Sequence, residues 1–437
     1  MSDIDDIDFF TSNDLLADPF AYFDALRAKW PVRSEPHHHV MMVTGYNEAL
    51  AVYNNSESFS SCISVTGPFP GFPVPLQGKS REAIDALISE HRHKLPMNDQ
   101  LPTFDPPVHT AHRTLLMRLI TPKRLQENEE FIWRLTDRTL DGFIKRGKCE
   151  YNGEFAAPLA MLVVADLLGV PEEDRETFRK VLLGGHGHGE GGKAKKMVGS
   201  TGEDTLALKP LEFLYQRFTR YIEDRRSNPR DDVLTGLAKA RFPDDSTPEV
   251  LDVVRVAANL FAAGQETTVR LLSSGVKLLA ENPKLQERLR AHPDLIPNFV
   301  EETLRLESPI KGDFRLARCP VHIGDTEIPA GATVMVLNAA ANRDPSYFKE
   351  PGKLDVERAN ARQHVAFGRG IHSCPGAPLA RAEARIAFQR LLERTRNLRI
   401  SEDHHGPPEA RRYQYVPTFI LRGLTHLHVE FDVAEGP

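Results

Sequence analysis

Phe367-Gly-Arg-Gly-Ile-His-Ser-Cys374-Pro-Gly376 places one cysteine in a glycine-punctuated loop directly ahead of a helical pattern over residues 377–390. Gly368, Gly370 and Gly376 permit a tight, partly left-handed backbone wrapped around a single sulfur. A thiolate just before a helix sits at the positive end of the helix dipole, within reach of free backbone N–H groups. That environment suits a cysteine acting as an axial iron ligand. The plainer reading of a lone cysteine is a small buried residue in a turn. Spacing within the loop and the rest of the chain decide between the two.

The composition is that of a globular protein, with 41% hydrophobic and 27% charged residues. A formal net charge of -6 and the lack of a strongly basic block argue against a nucleic-acid partner. Cys62, Cys149, Cys319 and Cys374 are widely spaced and form no CxxC pair, which points to a reduced, cytoplasmic protein without a disulfide framework or zinc site. The acidic N-terminus has no apolar run long enough for a signal peptide or a membrane span.

Upstream of the cysteine, Thr247-Pro248 reads as an N-cap followed by proline at the first helical position. From there a helical pattern runs to Glu281 and stops at Asn282-Pro283, a helix about 50 Å long. Its middle, Leu260-Phe-Ala-Ala263-Gly264-Gln265-Glu266-Thr267-Thr268, is a poor helix former. Small residues beside a threonine pair suggest close approach of a flat ligand and a local opening of the helix; a helix crossing that needs small residues is the alternative. In Asp105-Pro-Pro-Val-His109-Thr-Ala-His-Arg113, His109 and Arg113 lie one turn apart. Such a pair can grip a carboxylate or phosphate, or simply form a solvated face. Glu302 and Arg305 sit three apart, a natural ion pair.

Residues 15–29, 131–145, 158–168, 175–183 and 208–225 carry helical patterns, and 40–44, 321–328 and 333–337 read as strands. His37, His38 and His39 lead into the first strand, where alternating faces would keep them from converging on one metal ion. The glycine tract over 184–192, with His186, His188 and Glu190, reads as a mobile lid joint rather than a metal site. Residues 66–75, rich in Gly and Pro, cannot be regular structure.

Together these stretches resemble the cytochrome P450 family. Phe-x-x-Gly-x-x-x-Cys-x-Gly, with His372 two residues before the cysteine, is similar to its heme-binding loop. Asp-Pro-Pro-x-His-x-x-x-Arg is similar to its propionate-binding segment, and Ala263-Gly264-x-Glu266-Thr267 to its oxygen-binding groove. Glu302-x-x-Arg305 matches its Glu-x-x-Arg motif, with Arg358 as the second arginine; Leu354 stands where the family more often has Phe. The resemblance implies a mainly α fold, a triangular helical domain with a smaller β-rich portion near the N-terminus, over residues 1–437 as a single domain. It implies heme b with its iron ligated by Cys374. Phe367, Gly368, Ala263 and Gly264 would line the cofactor, and His109, Arg113, Arg315, His364 and His372 would hold it. Thr267 would hydrogen-bond dioxygen, Glu266 would feed protons, and Thr268 could share the role of Thr267.

The implied activity is a monooxygenase hydroxylating an apolar small molecule with O2, best a terpenoid-like or alicyclic compound bearing one oxygen, with a fatty acid or steroid behind. The chain has no Rossmann fingerprint or iron–sulfur cysteine set. Two electrons must therefore arrive from outside, and the resemblance implies a small acidic ferredoxin fed by an NAD(P)H-dependent reductase, with Arg118, Lys123, Arg124, Arg369 and Arg381 as candidate docking cations. The implied protein is a soluble, bacterial-type monomer. Phe261, Ala262 and Ala263, residues 310–314 and residues 416–420 would line the substrate, with polar contacts from Lys311, Asp313 and Thr418. A peroxide-driven heme enzyme and a non-catalytic heme-thiolate sensor are the rivals, and the Glu266-Thr267 pair argues against both. Pro375 has no N–H to offer the thiolate, which implies a lowered reduction potential.

Overall fold

The central helix is set by what competes for its ends. Pro248 gives its carbonyl to Arg226 Nη2 at 2.6 Å. The helix therefore starts at Val250, two residues later than Pro248, and runs unbroken to Ala280. Asn282 turns its side chain to the Leu285 N–H and starts the next helix, Pro283–Ala291. At 31 residues the central helix spans about 46 Å. The expected local opening at its middle does not occur, and Thr267 Oγ1 donates to the Ala263 carbonyl one turn back at 2.9 Å. Val253, Val254, Val256, Ala257, Ala258, Leu260 and Phe261 are buried on one side of that middle, and Leu271, Leu272 and Val276 on the other. Such all-round burial is that of a core element.

The computed structural model describes residues 4–184 and 208–434. The glycine tract with His186, His188 and Glu190 lies outside the described residues from 185 onward. Packed around the central helix are helices Ala157–Leu167, Leu208–Ser227 and Ala377–Arg394. Helix Pro122–Asp141 starts nine residues before the expected 131 because Thr121 caps the Arg124 N–H ahead of Pro122, a start signal the periodicity alone does not weigh.

The strands are β1 Val32–Ser34, β2 Met41–Val43, β3 Phe59–Ser60, β4 Lys148–Glu150 and β5 Asp313–Ala317. They continue with β6 Val321–Ile323, β7 Thr326–Ile328, β8 Thr333–Val336, β9 Thr395–Ile400 and β10 His428–Val433. One sheet has the order β1-β2-β8-β5-β3, with β2 and β8 parallel. The β-rich portion thus joins N-terminal strands to strands from residues 313–336. Side chains alternate across this sheet: Met42, Phe314, Leu316 and Met335 face one apolar cluster, Met41, Val43, Val334 and Val336 the other. A second sheet, β4-β10-β9, closes the C-terminal end, and β6 and β7 form a hairpin. His37 and His38 lie in a turn rather than a strand, because Glu35 accepts the N–H groups of His37, His38 and Val40. His38 turns to Asp8 at 3.0 Å. Among the described residues, no group of His, Cys, Asp or Glu could hold a metal ion, and no helix is long and apolar enough to cross a membrane.

Where the central helix crosses Ala377–Arg394, Gly275 lies flat against Phe388; a side chain there would come within 2.1 Å of the ring. Phe388 is fully buried and packs on Phe299, so it has little room to yield. Gly275→Ala should destabilise the fold by about 1–3 kcal/mol through overpacking. Chemical denaturation measures this, and an unchanged midpoint would contradict the crossing described.

Candidate functional site

The cysteine loop closes on itself. The Cys374 N–H donates to the Phe367 carbonyl at 2.8 Å, and the Gly368 N–H to Val365 at 2.9 Å. Gly368 (φ 62°) and Gly370 (φ 68°) are left-handed. A side chain on Gly370 would also meet the Tyr53 carbonyl at 2.3 Å. Gly376 is right-handed (φ -78°) and serves as the N-cap of Ala377–Arg394, so only two of the three glycines are needed for left-handed turns. Cys374 retains exposed surface even though the fold surrounds it. Burial pushes its thiol up; the N–H groups of Gly376 and Ala377 and the charges of Arg113 and Arg381 pull the other way, toward thiolate. Pro375, between them, has no N–H to add.

Two adjacent acids of helix Ile296–Glu307 hold this loop in place. Glu302, fully buried, accepts Arg305 Nε at 2.6 Å and Arg358 Nε at 3.0 Å. Arg305 also donates to the carbonyls of Asn342, Pro351 and Lys353. Glu301 accepts Arg381 Nε at 2.6 Å and His364 Nε2 at 3.0 Å. His364 Nδ1 accepts the Ala366 N–H. Both of its ring nitrogens are therefore occupied, and His364 is a strut of the cysteine loop rather than a propionate donor. Arg381 lies over the Phe367 ring at 4.7 Å, so Phe367 is clamped as well as placed. The Glu301–His364–Arg381 set was missed in the sequence, where the first glutamate of Glu301-Glu302 looks like its neighbour's duplicate.

On the other side of the loop, His109 and His372 lie against each other at a tilt, with ring centroids 4.1 Å apart. Nε2 of each is buried without a hydrogen-bond partner. Burial, then the charge of Arg113, holds His109 down at about 4; burial, then Arg315, holds His372 down at about 2. Arg113 Nη2 reaches the Ser373 carbonyl at 2.7 Å, and Arg315 Nη1 reaches Asp313 at 2.8 Å. Two unpartnered ring nitrogens beside two guanidiniums fit buried carboxylates, which such charges require. Heme propionates meet that need, and His109, Arg113, Arg315 and His372 would hold them.

The middle of the central helix, although in the core, turns an accessible face outward. Ala262, Ala263 and Glu266 are exposed and Thr267 half-buried, while Thr268 is only 3% exposed. This separates the two threonines: Thr267 shares the open face with Ala263, and Thr268 is packed away. Gly264 points elsewhere, since a side chain on it would meet Val164 of helix Ala157–Leu167 at 3.1 Å. It is a helix-crossing glycine rather than a cofactor contact. Glu266 hydrogen-bonds Arg270, one turn on.

The sequence model of cytochrome P450 matches residues 209–412. Cytochrome P450 144 of Mycobacterium tuberculosis is 32% identical over 391 residues, covering 89% of this chain and 86% of that protein. This chain belongs to the cytochrome P450 family. The 6-deoxyerythronolide B hydroxylase of Saccharopolyspora erythraea is 31% identical over 90% of each chain. The structure of Mycobacterium marinum cytochrome P450 CYP150A6 in the substrate-free form is 50% identical, with a TM-score of 0.91 over 99% of this chain and 100% of that one. As a P450 the protein is an oxidoreductase carrying heme with cysteine-ligated iron; Cys374 is the cysteine that stands in the heme loop.

Other expected residues of this P450 are committed elsewhere. Of the docking cations, Arg124 donates to the Leu167 and Asp166 carbonyls, Arg369 to those of Gln363 and His364, and Arg381 to Glu301. Arg118 and Lys123 are exposed and loosely engaged: Arg118 Nη2 donates to the Arg241 carbonyl at 3.4 Å, and Lys123, its side chain 88% exposed, lies 3.9 Å from Glu127. Phe261, expected to line the substrate, is fully buried against Phe178 and Phe218.

Two measurements test this site. Burial alone would raise Glu301, but the hydrogen bonds from His364 and Arg381 outweigh it and hold the carboxyl at about 2. A depressed carboxylate stabilises the fold above its unfolded pKa, here by about 3 kcal/mol at neutral pH, and loses that contribution as pH falls from about 4.5 toward 2. Glu301→Gln should therefore be less stable at pH 7 and should lose this acid dependence. Chemical denaturation across that range checks it, and an unchanged profile would contradict the role assigned. Second, Pro375→Leu should raise the heme reduction potential in spectroelectrochemical titration by restoring a possible donor to sulfur; an unchanged potential would contradict this.

Proposed function

We propose that this P450 hydroxylates a compact terpenoid-like or alicyclic molecule, using O2 and two electrons from a ferredoxin, as a single-domain, cytoplasmic monomer. The observation that supports the reading is the accessible stretch of the central helix on which Ala263, Glu266 and Thr267 lie together, in a chain whose Cys374 stands in the heme loop. When bound, heme supplies O–O cleavage, favoured by thiolate donation. The chain's own residues do the rest. His109, Arg113, Arg315 and His372 fix the cofactor's carboxylates. Thr267 presents a hydroxyl, with its proton resting on the Ala263 carbonyl, where oxygen chemistry needs a donor. Glu266 has the accessible carboxylate from which a proton can be passed inward. Ile310 and residues 416–420, half-exposed and mostly apolar, offer the substrate an apolar wall.

A peroxide-driven enzyme has no need of the Glu266–Thr267 pair, and a ligand sensor would have no turnover. Docking of an acidic ferredoxin through Arg118 and Lys123 would weaken with salt. The test is turnover with a reconstituted ferredoxin chain, using substrates chosen by the low-to-high-spin shift of the ferric protein. Thr267→Ala should lower product formed per NAD(P)H by about tenfold or more and raise peroxide release, while the substrate spin shift persists. Coupling equal to wild type would remove Thr267 from the mechanism.

A further inference from the structure

Two of the three polar side chains expected near the substrate are already consumed. Asp313 accepts Tyr53 and Arg315, each at 2.8 Å. The Thr418 hydroxyl accepts the N–H groups of Ile420 at 3.1 Å and Leu421 at 3.4 Å.

Lys311 is different. It is 2% exposed, and its ammonium donates to one acceptor, the Thr418 carbonyl at 2.8 Å. A lysine carries three N–H donors, so two are left over. Burial, then the positive charges of Arg422 and Arg270, lower it to about 7. Arg422 is spent on Glu307 at 3.0 Å and the Ala17 carbonyl at 2.8 Å. Arg270, 4% exposed, binds Glu266 through Nη2 while its Nε is buried without a partner. Gly423 makes room for this guanidinium; a side chain there would lie 2.5 Å from Arg270 Cγ. Arg270 and Arg422 each have a carboxylate, whereas Lys311 has none and keeps spare N–H donors; an anion beside it would favour its charged form.

The cluster also lies at the right place. Arg270 follows Thr267 by about one helical turn. From Lys311 an extended run leads to Arg315, whose charge bears on His372 in the cysteine loop. Lys311 thus sits beside Arg270 of the central helix and four residues ahead of Arg315, whose charge reaches the cysteine loop.

We propose that Lys311, backed by Arg270, binds a carboxylate of the substrate, so that the compound hydroxylated is an amphipathic carboxylic acid with an alicyclic or aliphatic body. This rests on the monooxygenase reading above and names its substrate class. No covalent step is involved; the carboxylate is a handle that fixes which carbon is presented.

The test uses the heme-loaded protein and matched probes: cyclohexaneacetic acid and its methyl ester, and decanoic acid and its methyl ester. Dissociation constants come from the ferric spin shift and, independently of the heme, from calorimetry. Wild type should bind each acid at least about tenfold more tightly than its ester. Lys311→Met should abolish that preference and leave ester affinity nearly unchanged, and Lys311→Arg should retain part of it. Equal affinities for acid and ester in wild type, which need no variant, would overturn the proposal. So would an acid preference that survives Lys311→Met, or a site that takes chloride but neither acid. The ferrous carbonyl spectrum of the same samples keeps the two questions apart: loss of its heme-thiolate form would fail the enzyme reading before any acid is added.

Discussion

One carboxylate shared by two guanidiniums organises the cysteine side of this molecule. Glu302 is fully buried, as is Arg305, and Arg358 nearly so. Such a set is a weak source of net stability, because taking the charges out of water costs about what their attraction returns. Its value is positional. Removing one partner would leave a buried charge uncompensated, at a cost of about 3–5 kcal/mol. Arg305 and Arg358 extend the network to the carbonyls of Asn342, Lys349, Glu350, Pro351 and Lys353, so the stretch before the cysteine loop has one folded path. The neighbouring Glu301 then fixes His364 on one side of that loop and Arg381 on the other. Two consecutive residues of one helix thus hold the cysteine from two directions.

The opposite wall is built from packing. The central helix is buried along both halves, and Gly264 and Gly275 let it approach Val164 and Phe388 closely. In its middle, around Ala262 to Thr267, it opens a face. A helix packed on both sides of that stretch is a good support for groups whose positions matter to within a fraction of an ångström. The unpartnered nitrogens of His109 and His372 mark a second boundary of the same space, where the fold has gathered donors and cations and supplies too few acceptors for them.

Much of this was legible in the sequence, for identifiable reasons. The cysteine loop, the central helix and the Glu302–Arg305–Arg358 set are local or motif-borne, and residue type at fixed spacing carries them. Arg358 could be assigned although it lies 53 residues beyond Arg305, because the motif supplies the partner. What failed was governed by tertiary neighbours. His364 looks like a free donor until Glu301 takes its Nε2, and Gly264 looks like a ligand contact until Val164 appears beside it. The histidines at 37–39 leave the strand because Glu35 draws in three backbone N–H groups, an interaction that no alternation pattern encodes. Asp313 and Thr418 looked available for the same reason. Their partners, Tyr53, Arg315 and the backbone of 420–421, are set by chain reversals that composition does not reveal.

The central claim is that Cys374, held by the Glu301 and Glu302 struts, presents a thiolate to heme iron. The most direct measurement is the ferrous carbonyl absorption spectrum of the heme-loaded wild type beside Cys374→Ser. Thiolate ligation by Cys374 predicts the red-shifted carbonyl band in wild type and its complete loss in the variant. A variant that keeps the thiolate band, or a wild type that never shows it despite full heme loading, would contradict the account.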